Sequence, residues 1–335
     1  MQNFKWLFWL ILSLPLPLQT SQAAVPQNPF VTGKSIYVSH NGIHKFNQTT
    51  LTKDWSALQG QLTFEPVMGE SLLYVGSPQG LYALNPDSGR QVWHIESTHT
   101  IFSPAVADQL YAGSLHGALY SIDPLTGQIN WQQQFDGWVY SPAVLPDSAL
   151  LWTGGQAHQA VAVSTVDGRR VHALALNQES VFSPVDLHNQ LVAFNLFNGK
   201  TAIINSASAS IVGWLDGSTQ PKNISFDDDF IYRSDRDGKL SAFDRKNYRQ
   251  RWQETIVGQD LTMHPASDGK ILLSDLDSNL VLYDPHNRSE IWRNQISGNW
   301  FSPFQVGAKK IIFFQETNLQ PNDLSAVKIY AQPTN

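Results

Sequence analysis

Short apolar runs separated by turn residues fill the chain from about residue 30 to residue 330. The run LYVGS at 73–77 is followed by GLYALN at 80–85, a Ser-Gly step and Trp93. The same order returns as LYAGS at 110–114, GALYSID at 117–123, a Thr-Gly step and Trp131. Runs of this length bounded by Gly, Asn, Asp and Pro are typical of strands joined by tight turns. The pattern therefore predicts an all-β protein built from a repeated unit.

The repeated unit has a period of about forty residues and ends at an aromatic position. Two middle units are degraded, because His172 replaces the tryptophan in one and the unit that ends at Trp214 lacks the Asp and Gly of its turn. Four strands per period of about forty residues predict the blades of a β-propeller. In the five regular units, ten residues separate the start of the outer turn from the closing tryptophan, which is Trp55, Trp93, Trp131, Trp252 or Trp292.

The residues of the outer turn have separate structural roles. Gly89 and Gly127 supply the positive φ that a tight turn between the two outer strands needs. Asp123, Asp244 and Asp284 stand at the start of the same turn in their units. The tryptophan that follows is expected to bury a large aromatic area between adjacent blades. These residues are therefore predicted to be structural.

A second marker stands between the units and gives a count of blades. It is an aromatic-Ser-Pro step at 102–104, 140–142, 182–184 and 301–303, and weaker forms bring the number of openings to eight. Only seven closings are found when His172 is counted as one. We therefore expect four-stranded antiparallel blades, eight in preference to seven. The last blade is expected to be three-stranded or completed by residues 24–27.

The turn and tryptophan spacing resembles the pyrroloquinoline-quinone-like (PQQ-like) repeat, whose signature is Ala-x-Asp-x-x-Thr-Gly-x-x-x-Trp. The best match is Ser121, Asp123, Thr126, Gly127 and Trp131, and the resemblance spans residues 28 to about 330. Within that class, an exported chain made only of a propeller is similar to the outer-membrane protein assembly factor of the β-barrel assembly machinery. The chain departs from that family because it has no cysteine to carry a lipid anchor.

The first 23 residues resemble a secretory signal peptide. Lys5 precedes an apolar run from Trp6 to Leu18, and small residues lead to a cleavage site near Ala23. The run is shorter than the 20 or so residues of a spanning helix, so no transmembrane segment is expected after cleavage, although an uncleaved anchor is the alternative. Residues 24–335 are then a single propeller domain. A periplasmic location is expected.

Composition narrows the class of partner. The net charge is -6 and no basic run appears, so nucleic acid is not an expected partner. Cys is absent, which leaves no disulfide framework and no thiolate metal ligand. On its own, the protein is expected to be a monomer.

The chain carries few patterns typical of catalytic or metal-binding sites. The resemblance allows a quinoprotein dehydrogenase that holds PQQ and Ca²⁺, but such sites characteristically use an adjacent cysteine pair, and the chain has none. The fragments at 227–229, 235–238 and 275–277 carry the alternating carboxylates of a Ca²⁺ loop, although each is more often a solvated turn. The ten histidines form no pair at ligand spacing on one element. No cofactor, metal site or catalytic residue is predicted.

Loops that lead into the innermost strands are expected to share one end of the ring with the turns between second and third strands. Trp138 and Trp300 stand a few residues before the Pro of an aromatic-Ser-Pro step, where an exposed aromatic residue can be a binding hot spot. Equally, both tryptophans can simply cover the blade edges. The other candidates for partner binding are His99, His116 and His158, and the turn at 315–323.

The sequence therefore predicts a non-catalytic periplasmic scaffold. It would bind a protein partner in the cell envelope, in a role such as outer-membrane protein assembly, through its rim or a strand edge. The alternative is a propeller that binds PQQ and Ca²⁺ or another small ligand.

Overall fold

The computed structural model describes residues 29–145, 148–155, 158–180, 182–217, 219–264, 266, 268–295, 300–306, 310–315 and 327–331. The proposed signal peptide, residues 1–23, lies outside this part of the chain. All regular structure in the described part is β, in 31 strands. No helix there has the length and apolar character to cross a membrane.

Each of the first four sheets contains four consecutive strands in antiparallel order. Blade 1 has β1 (Phe30–Thr32), β2 (Ser35–Ser39), β3 (Ile43–Asn47) and β4 (Lys53–Ala57). Blade 2 has β5 (Val67–Met68), β6 (Leu73–Ser77), β7 (Gly80–Leu84) and β8 (Gln91–Glu96). Blade 3 has β9 (Ala105–Val106), β10 (Leu110–Gly113), β11 (Ala118–Ile122) and β12 (Ile129–Gln134). Blade 4 has β13 (Ala143–Val144), β14 (Leu150–Thr153), β15 (Gln159–Ser164) and β16 (Arg170–Ala175).

Three further four-stranded sheets and one three-stranded sheet follow. Blade 5 has β17 (Val185–Asp186), β18 (Leu191–Asn195), β19 (Thr201–Asn205) and β20 (Ser210–Leu215). Blade 6 has β21 (Pro221–Phe226), β22 (Phe230–Asp235), β23 (Lys239–Asp244) and β24 (Gln250–Thr255). Blade 7 has β25 (Thr262–His264), β26 (Ile271–Ser274), β27 (Asn279–Asp284) and β28 (Ser289–Gln295). The three-stranded sheet has β29 (Trp300–Val306), β30 (Lys310–Gln315) and β31 (Val327–Ala331).

The order of burial shows how the blades are arranged. The first strands of neighbouring blades contact one another, as β5 does with β9 and β9 with β13, so these strands are innermost. Strands β6 and β7 are buried along their whole length, whereas the fourth strands alternate between exposed and half-buried residues. The hydrophobic core therefore lies between blades, with the fourth strand of each blade at the outer surface.

The expectation of eight four-stranded blades is wrong, and the structure instead contains seven, the number given as the alternative. The sequence prediction assigned one blade to each of the eight openings, with the last blade three-stranded or completed by residues 24–27. The opening at 301–303 leads into β29, but no turn with a closing tryptophan follows it, and its sheet has three strands. That sheet lies between blades 7 and 1, because β29 contacts β26 and Ile312 packs with Ile36 and Val38.

The outer turn between the third and fourth strands begins with a side-chain cap. In blade 3, Asp123 Oδ1 accepts hydrogen bonds from Leu125 N (3.0 Å) and Thr126 N (2.8 Å). Asp244 and Asp284 cap the turns of blades 6 and 7 in the same way. The fifth turn residue always has a left-handed φ, and it is Leu51, Gly89, Gly127, Gly168, Ala209, Tyr248 or Arg288.

Glycine at the fifth turn position makes room for the tryptophan of the preceding blade. A Cβ built on Gly127 would lie 2.8 Å from Trp93 Cδ2, closer than real Cβ contacts. The indole Nε1 of Trp93 donates a hydrogen bond to Pro124 O in the same turn (3.0 Å). Trp55 and Trp131 repeat both features with Gly89 and Gly168 of the next blade. This joint links blades 1 to 4.

The joints after blade 4 use other side chains. His172 is half-buried in the tryptophan position, and the link to blade 5 comes instead from Trp152 of β14, whose Nε1 donates to Ser206 Oγ (2.8 Å). The expected closing position of Trp214 is wrong by one residue: Gly213 pairs with Ile203 as Trp131 pairs with Ser121, and it packs against the ring of Tyr248. Trp214 is 39% exposed. At the next joint, the Arg288 guanidinium lies over the ring of Trp252. Trp292 packs at the edge of a cluster of buried leucines in blade 7.

Candidate functional site

One end of the propeller, which we call the loop face, is formed by two kinds of loop. They are the connections from a fourth strand to the next first strand and the turns between second and third strands. Backbone hydrogen bonds join the two kinds: Leu115 N donates to Thr100 O (2.9 Å), and Val139 N donates to Ser114 O (2.9 Å). In blades 2 to 4 the loop face includes residues 97–101, 114–117, 135–140, 154–155, 158 and 176–180.

Three aromatic rings follow one another where the loop face meets the innermost strands. The ring centroids of Phe64 and Phe102 are 5.6 Å apart, and those of Phe102 and Tyr140 are 5.3 Å apart. Burial, with a smaller contribution from the charge of Glu179, raises the pKa of Tyr140 to about 12, so this phenol is neutral at physiological pH. We call these three rings the aromatic arc. Phe182 holds the same motif position in the next blade and is exposed.

Trp138 lies beside the aromatic arc in the connection from blade 3 to blade 4. It is half-buried, and its backbone closely approaches Gly155 of the next turn, where an added Cβ would overlap Trp138 O. Val139 and Gly155 form an isolated β-bridge. A side chain at position 155 would therefore move the loop that carries Trp138. Trp300, the other candidate tryptophan, is the first residue of β29, in the three-stranded sheet between blades 7 and 1.

The three candidate histidines are all exposed on the loop face. The imidazole rings of His99 and His116 stack, with centroids 4.2 Å apart and planes 9° from parallel. His158 Nε2 lies 3.5 Å from Glu179 Oε1, an ion pair when the histidine is protonated. The structure therefore brings four of the five candidates, Trp138 and the three histidines, to one sector of the loop face, which runs from blade 2 to blade 4.

The sector of blades 5 to 7 has a different chemistry. Lys200 Nζ lies 3.0 Å from Asp216 Oδ1, and Lys222 Nζ lies 3.2 Å from Asp260 Oδ1. Arg233 is fully buried beneath this sector, where its Nη1 donates to Gly199 O (2.8 Å). The loop face is thus aromatic on one side and ionic on the other.

The carboxylates that resemble Ca²⁺ loops are engaged in turns. Asp235 Oδ1 accepts from Asp237 N (3.0 Å) and Lys239 N (3.1 Å). Asp227 Oδ1 accepts from two backbone N–H groups, and Asp275 Oδ1 accepts from Asn279 N. Among the described residues no three His, Cys, Asp or Glu side chains converge on a common metal position. The turn at 315–323 falls, after Gln315, outside the described residues.

Sequence reasoning missed the aromatic arc, although the signal was present. The aromatic position of the aromatic-Ser-Pro step was used only to count blades, and Phe64 belongs to a weaker form of the step. Neighbouring first strands lie side by side at the centre of the ring, so residues one blade apart along the chain become neighbours in space. A repeated aromatic residue just before these strands therefore predicts a row of rings.

Comparison with known sequences decides the family. The profile of the family described as outer membrane protein assembly factor BamB matches residues 17–100 and 79–328. The chain belongs to this family. The expected resemblance to PQQ-like repeat proteins of this kind is confirmed. No curated protein matches the chain.

Solved structures show the same fold as this BamB family member. The crystal structure of BamB from Moraxella catarrhalis matches with a TM-score of 0.71 and 15% identity, covering 91% of this chain and 94% of that one. A computationally designed protein, Ika8, matches with a TM-score of 0.77 and 12% identity, covering 92% and 96%. Quinohemoprotein alcohol dehydrogenase from Comamonas testosteroni matches with a TM-score of 0.69 and 12% identity, covering 88% of this chain and 70% of that one.

Proposed function

We propose that this BamB family member is a non-catalytic periplasmic scaffold that binds a protein partner in the assembly of outer-membrane proteins. The observation that carries the proposal is the family match over most of the chain, whose description names outer-membrane protein assembly. The aromatic arc and Trp138 supply a surface of the kind that protein interfaces use, since exposed or half-exposed aromatic residues are enriched among binding hot spots.

The proposed binding surface is the loop face from blade 2 to blade 4. Trp138, His99, His116 and His158 lie on successive loops there, and the aromatic arc belongs to the same sector. Stacked and half-buried aromatic side chains lose little conformational entropy when a partner covers them. Trp300 is retained as a separate candidate on the three-stranded sheet.

The test is affinity capture from an envelope extract with purified protein and single tryptophan variants. Trp138→Ala is expected to lower the recovery of the partner about tenfold or more, as truncation of a hot-spot residue does. Trp214→Ala is the matched control, because Trp214 is 39% exposed on the fourth strand of blade 5, outside the sector of blades 2 to 4. Trp300→Ala tests the second candidate in the same way.

Two results would contradict this proposal. Equal partner recovery by Trp138→Ala and the wild-type protein would mean that the loop face from blade 2 to blade 4 is not the binding surface. A tight stoichiometric complex with PQQ and Ca²⁺ in a calorimetric titration would instead favour the quinoprotein alternative. The Comamonas quinohemoprotein has a fold similar to that of this chain.

A further inference from the structure

Two histidines that are distant in sequence are adjacent on the loop face. His99 lies in the connection from blade 2 to blade 3, and His116 lies in the turn between β10 and β11. Their rings are stacked at 4.2 Å and both are exposed. Exposed imidazoles held this close are two potential metal ligands on a single surface.

The backbones that carry the pair are fixed to each other. Leu115 N donates to Thr100 O (2.9 Å), which ties the residues next to the two histidines. His99 N donates to Ser97 Oγ (3.1 Å), and Gln134 Nε2 donates to His116 O (2.7 Å). The two Cα positions are therefore preorganised, so that any adjustment needed to bind an ion is confined to the side chains.

Binding a metal ion requires the two rings to unstack. Two imidazole nitrogens bound at about 2.0–2.1 Å with a tetrahedral angle are roughly 3.4 Å apart, and the ion lies close to the plane of each ring. The planes of the two rings are now 9° from parallel, so one or both side chains must rotate until the planes converge on the ion. Both rings are exposed, so this rotation is confined to the side chains and leaves the loop backbones in place.

We propose that His99 and His116 form a two-histidine site for a divalent transition-metal ion of the Cu²⁺, Ni²⁺ and Zn²⁺ class. No third protein ligand converges on the pair within the described residues, so the remaining coordination positions are open to water or to a group from outside the chain. The site is independent of the proposed scaffold function, because the protein alone would bind the ion. Sequence inspection finds no such pair, since the two histidines belong to different loops.

The experiment uses Cu²⁺, because it binds imidazole most strongly among these ions. Tag-free protein is titrated with Cu²⁺ by calorimetry, and the complex is examined by electron paramagnetic resonance. We expect one saturable site with hyperfine coupling from two nitrogens, and competition by Zn²⁺. His99→Gln and His116→Gln are each expected to weaken Cu²⁺ binding by about tenfold or more, as loss of one of two ligands should.

His158→Gln is the matched control, because this histidine is also exposed on the loop face but lies beside Glu179 instead of another imidazole. It should bind Cu²⁺ as the wild type does. The proposal is overturned if the wild type shows no saturable site at millimolar Cu²⁺, or if either of the two variants binds Cu²⁺ as tightly as the wild type. Thermal melting checks that each variant is folded, and either single variant suffices for the test.

Discussion

The joints between blades 1 to 4 differ from those between blades 4 to 7. In the first group, a tryptophan packs on the glycine of the next turn and donates its N–H to a carbonyl of that turn, as Trp93 does with Gly127 and Pro124. In the second group, Trp152 reaches Ser206 from another strand, and Arg288 lies over Trp252 in place of a glycine. The fold needs a filled and hydrogen-bonded joint, and more than one side-chain set can supply it.

Blade 4 shows how a different pair of side chains fills the joint. In blades 1 to 3 a tyrosine of the second strand lies beside the closing tryptophan, as Tyr111 does with Trp131 at 6.0 Å. In blade 4 the second strand carries the larger Trp152 and the fourth strand carries the smaller His172. The larger side chain thus lies on the second strand instead of the fourth. Trp152 still donates a hydrogen bond to the next blade.

The largest expected difference between the two groups follows from truncating a tryptophan on the fourth strand of a blade. Trp93→Ala should lower the free energy of unfolding by about 3–5 kcal/mol, because it opens a cavity between blades 2 and 3 and removes the bond to Pro124 O. Trp214→Ala should cost about 1 kcal/mol, because the indole is 39% exposed and Gly213, not Trp214, occupies the joint position of blade 5. Urea unfolding of both variants measures the difference. Equal losses would mean that the Trp93 indole in the regular joint stabilises the fold no more than the exposed Trp214 does.

Much of this architecture follows from the sequence. The closing tryptophans, the turn glycines and the proline openings are local signals, so strand number and order can be predicted from them. The number of complete blades could not, because a first-strand marker at 301–303 does not require a fourth strand. The Trp152 joint was missed because it depends on two coupled changes in different strands. The stacking of His99 with His116 likewise depends on which loops meet.

The two regions also differ in the residue that precedes the opening proline, which is Glu65 in blade 2 and His264 in blade 7. Burial raises the pKa of Glu65 to about 7 and lowers that of His264 to about 3. The folded protein keeps the Glu65 proton that the unfolded chain loses above its ordinary pKa. Its contribution to stability is therefore complete below about pH 4.5 and is lost as the pH rises to about 7. His264 has the opposite effect. The unfolded chain takes up a proton at this histidine below about pH 6.5, so stability is lost as the pH drops from about 6.5 to about 3.

Glu65→Gln should therefore remove a pH-dependent change in the free energy of unfolding of roughly 3 kcal/mol at most. We expect the variant to be more stable than the wild type at pH 8 and nearly equal to it at pH 4.5. Glu70→Gln, at an exposed position of the same blade, is the control and should follow the wild type. Urea unfolding at several pH values between 4.5 and 8 provides the measurement. Parallel curves for Glu65→Gln and the wild type would show that the buried carboxyl does not titrate in this range.

The smallest effect comes from exchanging the fifth turn residue between the two groups. Gly127→Ala should destabilise by about 2 kcal/mol, because the new Cβ would lie against the Trp93 ring at a φ of 75° that alanine rarely adopts. Ala209→Gly in blade 5 should stabilise by up to about 1 kcal/mol, because it relieves a left-handed alanine with a φ of 45°. Thermal unfolding of both variants should therefore give melting temperatures on opposite sides of the wild-type value. If both variants were destabilised, the Ala209 methyl would contribute more through packing than its backbone conformation costs. The irregular turn of blade 5 would then be a packed alternative to the glycine turn, adapted to its own neighbours.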